Sequence, residues 1–458
     1  MVCRQFESRV FLLFRWICDT AKQQKYPNLP IWLYNTPMTQ ALQEPTERVT
    51  LGFQILLGLA NASTYLAVLP ILTILIPAQV TQIDLINSAS NLALVLSLGA
   101  VGALIGNPLG GALSDRTTAA LGRRRPWIIV GTLATSAWLA ILANSQSVLW
   151  LALGWFSVQL FGNMLFSAYG AILPDRIPVN QRGTTQAILS LISPIFMTLG
   201  AYYLGRVLDF RVGYYPVILV LLLCNVLFVG LYREIPLPKG SALPFRLRSF
   251  LASFWINPRQ QPTFGLAWLA WLLIWTGYGL GTGGFLFLYI QNVTGYESVF
   301  PGHTVQEGLS NVQILQTLCG IPLMMLIGAL SDRFQRRKIF VISGIALVIL
   351  GMFTLIFFSN WTMVMIAATA IGVGFSIFFN LGMALVSQIL PSASDRGKDL
   401  GVINIASTIP QIVMPGIGAA VINVLGLTSP VGYQILFGTG ILLLIIGAIL
   451  TQNLRGVR

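Results

Sequence analysis

The sequence predicts an all-α integral membrane protein of twelve spanning helices in two pseudo-symmetric six-helix halves. Three observations carry that reading. Of the 458 residues, 55% are hydrophobic and only 9% charged, too few charges to clothe a soluble globule of this size. The apolar residues are gathered into runs, most of them longer than the ~20 residues needed to cross a bilayer core. An acid-and-base phrase also recurs. Gly110-Gly111-Ala112-Leu113-Ser114-Asp115-Arg116 returns as Gly328-Ala329-Leu330-Ser331-Asp332-Arg333, with the two aspartates 217 residues apart, nearly half the chain. A repeat at that offset is what two homologous halves give.

Residues 1–48 form an N-terminal tail. Arg4, Arg9, Arg15, Lys22 and Lys25 surround an apolar patch, Val10 to Phe14, that is too short to span. A start at Met38 would make residues 1–37 dispensable. The first half, 49–234, divides into spans near 49–76, 89–112, 126–145, 148–173, 184–209 and 213–234. The stretch 235–262 carries five prolines with Lys239, Arg246, Arg248 and Arg259, and reads as a linker between the halves. The second half, 263–452, gives spans near 263–291, 307–330, 338–359, 361–390, 399–425 and 430–452, followed by a short tail, 453–458.

On this topology 25 of the 27 Lys and Arg residues fall on one side of the membrane; only Arg206 and Arg211 fall on the other. Cationic loops stay in the cytoplasm, so both termini and the interhalf linker are expected inside a plasma or inner membrane. The formal charge of +13 therefore reflects topology and predicts no nucleic-acid partner. Cys3, Cys18, Cys224 and Cys319 show no paired spacing, and the one histidine, His303, rules out a site needing several imidazoles. No metal or cofactor is expected. The sequence has neither a phosphate-binding Gly-Lys loop nor a nucleophile-base pair, so neither an ATP-driven pump nor an enzyme is predicted.

The phrase ending at Arg116 continues to Gly122-Arg123-Arg124-Arg125-Pro126, and the loop after the fourth span, Pro174-Asp175 to Arg182-Gly183, is echoed by Pro391 to Arg396-Gly397. Gly-x-Leu-x-Asp-Arg ending in Gly-Arg-Arg resembles the signature of the major facilitator superfamily between its second and third helices. The longer Gly-Arg-Arg-Arg-Pro form is similar to the sucrose-transporter-like and glycoside-pentoside-hexuronide branches, as are Lys398 to Asn404 and Phe287 to Val293. The resemblance implies a latch in which the loop acid faces the start of the eleventh helix on the cytoplasmic side. Asp115, Arg116, Arg123, Arg124, Asp175, Arg182, Asp332, Arg333 and Arg396 are its candidate members. Asp115 is expected to pair either there or with the run Arg123 to Arg125, holding the cytoplasmic side closed.

Polar side chains in mid-span face protein or a water-filled cavity, because lipid does not solvate them. Gln159 and Asn163 lie four apart in the fourth span, and Ser376 and Asn380 occupy the same two places 217 residues later in the tenth. Asn61, Tyr65, Gln186, Trp275, Tyr278, Asn404 and Gln411 complete the candidate substrate-binding set. Amides, hydroxyls and rings without fixed charge suit a neutral polyhydroxylated solute. The resemblance also implies a proton-linked acid in the middle of the fourth span, where this chain has Gln159, and an arginine where it has Gly170. No carboxylate lies in mid-span, so coupling to a proton is left open beside facilitated diffusion. The expected function is secondary transport or facilitated passage of a sugar or glycoside by a monomer embedded in lipid. An exporter of amphipathic compounds and a non-transporting pigment-delivery member of the same fold are the alternatives.

Overall fold

Without water in the bilayer core, each span must satisfy its backbone internally, and helix is the local solution. The computed structural model describes residues 45–234, 236, 261–282, 284–334, 336–389 and 396–454, with the side chains of 332, 387–389 and 396–401 outside the description. The tail before residue 45, the linker apart from its flanks, and the last four residues lie outside the described residues. Within them, twelve helices are long and apolar enough to cross a membrane. They are α1 Leu51–Ile83, α2 Ser88–Arg116, α3 Arg125–Ala143, α4 Val148–Arg176, α5 Val179–Leu204 and α6 Phe210–Leu231. The second six are α7 Pro262–Thr294, α8 Val305–Phe334, α9 Arg337–Phe357, α10 Trp361–Ile389, α11 Arg396–Leu425 and α12 Pro430–Gln452.

The packing repeats with a shift of six helices. In the first half α1 packs on α5 and α6, α3 on α4 and α6, and α2 on α4. The second half has α7 on α11 and α12, α9 on α10 and α12, and α8 on α10. Between the halves, α2 meets α11 and α5 meets α8, two contacts that the same shift exchanges. The fold is therefore the predicted pair of pseudo-symmetric six-helix halves. Large apolar side chains such as Leu149, Leu219, Val226, Leu326, Phe353 and Leu442 remain exposed on its surface, where lipid tails solvate them.

Close helix packing in lipid depends on small residues, because apolar burial gives little drive there. On α2, Gly102, Gly106 and Gly110 face the backbone of Phe156, Leu160 and Met164 on α4. Gly344 and Gly374 bring α9 against α10 in the same way, and Gly277 and Gly440 bring α7 against α12.

Two helices depart from the regular form. Pro70 in α1 is followed by a π turn, Ile71–Leu75, and proline's missing N–H supplies the local cause. The helix then runs to Ile83, beyond the expected end at 76. α7 is interrupted at residue 284, where Gly284 has φ +86° and abuts Leu92 and Leu96 of α2, and it ends in a second π turn, Ile290–Thr294. The fifth span begins at Val179 and closes at Leu204, five residues earlier at each end than expected, because Pro178 presets the start and Gly205 ends it.

A Cβ on Gly106 would lie 2.2 Å from the carbonyl oxygen of Leu160, whereas one on Gly170 meets nothing within 4 Å. Gly106→Ala should therefore lower stability by about 1–3 kcal/mol through overpacking, and Gly170→Ala should be neutral or mildly stabilising. Thermal unfolding midpoints of the detergent-purified variants check both outcomes.

Candidate functional site

The cluster of charges sits at one end of the bundle, where α2, α3, α4 and α6 terminate. Asp115 occupies the last turn of α2 and Arg124 caps α3. Arg124 is the hub, with a side chain only 4% exposed. One guanidinium nitrogen lies 2.6 Å from Asp115 Oδ1 and 2.9 Å from Asp175 Oδ2 on α4, while another donates to Ser114 Oγ. Burial works against the charge of Arg124, but the carboxylates of Asp175 and Asp115 more than offset it and raise the guanidinium pKa further. Arg123 adds a contact to Asp175 at 2.7 Å. Of the two partner sets expected for Asp115, the structure gives the basic run. The side chains that open α11, Arg396 among them, lie outside the described residues, as does that of Asp332. Arg333 is exposed in the last turn of α8.

Glu234, just past α6, was missed in the sequence. Its Oε2 accepts from the backbone N–H of Arg124 at 2.8 Å and of Arg125 at 3.4 Å. Burial raises its carboxyl pKa above the ordinary value, against the opposing pull of those N–H groups and of Arg123. The turn it braces bends at Gly122, φ +100°, where a Cβ would lie 2.5 Å from the same carboxylate oxygen. The only signal for it was an acid at the last position of the expected sixth span, 213–234. Arg182 donates to the Ile177 and Pro174 carbonyls, and Arg116 to that of Ala112. Gln181 accepts from Val49 N–H at 2.8 Å and donates to Val49 O at 3.1 Å, tying the segment before α1 to α5.

The opposite end carries contacts between the halves. Arg206, in the turn after α5, donates to Ser310 Oγ and Asn311 Oδ1, each at 3.2 Å, and lies 3.8 Å from Glu307, all on α8. Its guanidinium also stacks on the Tyr202 ring at 3.9 Å. Thr198 and Thr317 bond at 2.6 Å, and Asn423 of α11 donates to Ser90 of α2 at 2.6 Å. Arg206 was one of two cations that broke the charge asymmetry of the sequence, and this clasp is its structural use.

In mid-bundle the paired amides bond first to their own helices. Asn163 donates to Gln159 O at 2.8 Å and Asn380 to Ser376 O at 2.8 Å. Gln159 is buried against α2, its Cγ 3.4 Å from where a Cβ on Gly99 would lie, and Asn163 is half-buried one turn further along α4. Their counterparts Ser376 and Asn380 stand on α10, where Gly382 abuts Trp271 of α7 and Gly372 abuts Gln316 of α8. Tyr65 packs on Phe166 at 4.5 Å; Trp275 and Tyr278 join Phe375 and Phe379 in a four-ring group. Asn61 is half-buried on α1, while Gln186, Asn404 and Gln411 are exposed, the last donating to Ser407 O.

Asp175 takes two guanidinium groups at 22% exposure, whereas Asp115 takes one at 58%. Asp175→Asn should therefore destabilise the protein by about 3 kcal/mol and Asp115→Asn by about 1 kcal/mol or less, which denaturation in detergent compares directly. A raised folded pKa means that Glu234 adds most stability below its unfolded pKa and loses it as pH rises through the folded value. Replacing it with Gln should accordingly flatten the stability profile as pH rises above the ordinary glutamate value of about 4.3. At the other end, Arg206→Ala removes about 1 kcal/mol of clasp, hence about a five-fold shift in the balance of open and closed states. Spin labels at the exposed Leu208 and Val299 should report longer distances in that variant.

The chain was compared with known proteins by family model and by fold. The Major Facilitator Superfamily model matches residues 51–314 and 306–456. The nucleoside transporter NupG superposes with a TM-score of 0.65 at 14% identity, over 87% of this chain and 99% of that one. A mutant form of NupG gives 0.69 at 12%, over 88% and 100%. A bacterial homolog of the human lysosomal transporter Spinster, solved inward-facing and unoccupied, gives 0.62 at 16%, over 88% and 97%. With two six-helix halves, the duplicated Asp-Arg phrase and a family match over nearly all the described spans, the chain belongs to the Major Facilitator Superfamily and is a multi-pass integral membrane protein with that family's transporter fold.

Proposed function

We propose that the protein carries a small neutral organic solute, a sugar or glycoside, across the membrane by rocking its two halves about a central site. One observation carries the choice of solute. The middle stretches of α4 and α10 carry amides and a hydroxyl at equivalent positions, Gln159 with Asn163 and Ser376 with Asn380, and every described Asp, Glu, Lys and Arg lies at or beyond the ends of the spans. Such a surface offers donors and acceptors to hydroxyls and gives no counter-charge to an ionic solute. Gln159 and Asn163 on one wall, and Ser376 and Asn380 on the other, are the proposed contacts, with Asn61, Gln186, Asn404 and Gln411 around them.

The basic end faces the cytoplasm in this reading, in line with the cationic bias of its loops. The Asp115-Arg124-Asp175 cluster braces that end of the first half, and the Arg206 clasp closes the outer end. The lack of a mid-span carboxylate favours facilitated diffusion over proton symport. A pigment-carrying role fits less well, because the one imidazole, His303, is held by Glu307 at 2.8 Å near an exposed loop.

Uptake into proteoliposomes tests the proposal. Radiolabelled sugars, glycosides and nucleosides should include at least one solute whose entry saturates and is unaffected by an imposed pH gradient. Asn163→Ala should weaken binding of that solute about ten-fold, a loss of about 1.4 kcal/mol, while Asp115→Asn should slow turnover with affinity retained. Saturable uptake confined to charged solutes would overturn the assignment.

A further inference from the structure

We infer that the second half holds an anionic phospholipid, its acyl chain in a groove between α9 and α12 and its phosphate at the basic turn that opens α9. The groove, about 150 Å³, is lined by Ile342, Ala346 and Ile349 of α9 and by Ile445, Ala448 and Ile449 of α12. Each set recurs at one-turn spacing, so the groove follows the two helices for about 10 Å. An apolar space of that size takes up a molecule such as benzene, and so admits a run of acyl methylenes. Neither helix belongs to the contacts of α2 with α11 and α5 with α8 that join the halves, and Ile445, Ile446 and Ile449 are exposed where the surface meets lipid.

The groove ends at charge. Gln452 closes its lining, and Lys338 donates to the Gln452 carbonyl oxygen at 3.4 Å and to that of Leu454, which fixes a cation at the mouth. Arg336, at the cap of α9, is exposed, as are Arg333, Phe334 and Ile339. The first half shows why this charge is left for a ligand. Arg336-Arg337-Lys338 opens α9 as Arg123-Arg124-Arg125 opens α3, and in the first copy Asp175 and Glu234 take up the run. Pro174-Asp175 recurs as Pro391-Ser392, and, counted from Val212-Gly213-Tyr214 and its echo Val431-Gly432-Tyr433, Glu234 recurs as Asn453. The second copy has thus lost both counter-acids, and among the described residues Arg336 and Lys338 form no ion pair. A lipid phosphate supplies the missing anion at the depth of the headgroups, and a guanidinium suits it with paired N–H donors.

Native mass spectrometry of the full chain, released from detergent micelles carrying dioleoyl phosphatidylglycerol or dioleoyl phosphatidylcholine, reads both parts of the site. One phosphatidylglycerol should be retained at least five-fold more tightly than phosphatidylcholine. Arg336→Gln should lower that preference about five-fold, the worth of one basic side chain at an anionic headgroup. Ala346→Trp should fill the groove and release both lipids, whereas Arg211→Gln at the opposite end should change neither. All three positions are exposed or partly so on the surface of the bundle, where the fold tolerates the change. Glycerol phosphate should not displace the lipid, because it brings the anion without the chain. Equal retention of the two lipids, an unaltered preference in Arg336→Gln, displacement by glycerol phosphate, or a dimer that Ala346→Trp splits with no lipid lost would each overturn the inference.

Discussion

The bilayer's refusal to solvate polar groups is the constraint from which the rest of this structure follows. It turns each apolar run into helix and sends hydroxyls back to their own helices, as Ser63 does to Ala60, Thr369 to Met365 and Thr451 to Gly447. It also removes the usual driving force for helix association, so the tightest contacts fall where glycines let backbones touch. α2 rests on α4 through three such glycines, and Gln159 packs beside the same contact at Gly99. Charge is expelled to the two ends, where water and opposite charges are within reach.

The ends use their charges differently. At the basic end the described ion pairs of Arg123 and Arg124 stay within the first half, joining α2, α3, α4 and the end of α6. They make the half a rigid unit. At the other end Arg206 reaches across to α8, and its bonds must break for the halves to part there. A rocking mechanism needs rigid bodies and a breakable seam; here both are built from arginine, distinguished by whether the acceptor lies on the same half.

Much of this was legible in the sequence because lipid makes the pattern simple. The number of spans and the two halves follow from apolar length and a repeat offset, whereas charge left Asp115 two partner sets, of which the described residues show Arg124. What escaped was set by three-dimensional packing. The π turns in α1 and α7 shift helix ends by several residues, and hydropathy does not register a one-residue bulge. Glu234 is one acid beside one arginine in the sequence, and only the fold brings it under the turn at Gly122. The mid-span amides were legible as a symmetric pair. Their bonds to their own helices were not, because the acceptor a mid-span amide takes is set by its rotamer and neighbours.

The side-chain amide of Gln181 treats the peptide of Val49 as a neighbouring strand would, accepting its N–H and donating to its carbonyl. The polypeptide upstream of α1 therefore departs from a fixed corner beside the start of α5, with its last residues indexed to the first half. Whatever is joined to that segment inherits the bearing of one rigid body. Under the rocking proposed above, a fluorophore placed there would act as a compass needle, turning with the first half while a reporter on α12 turns with the second.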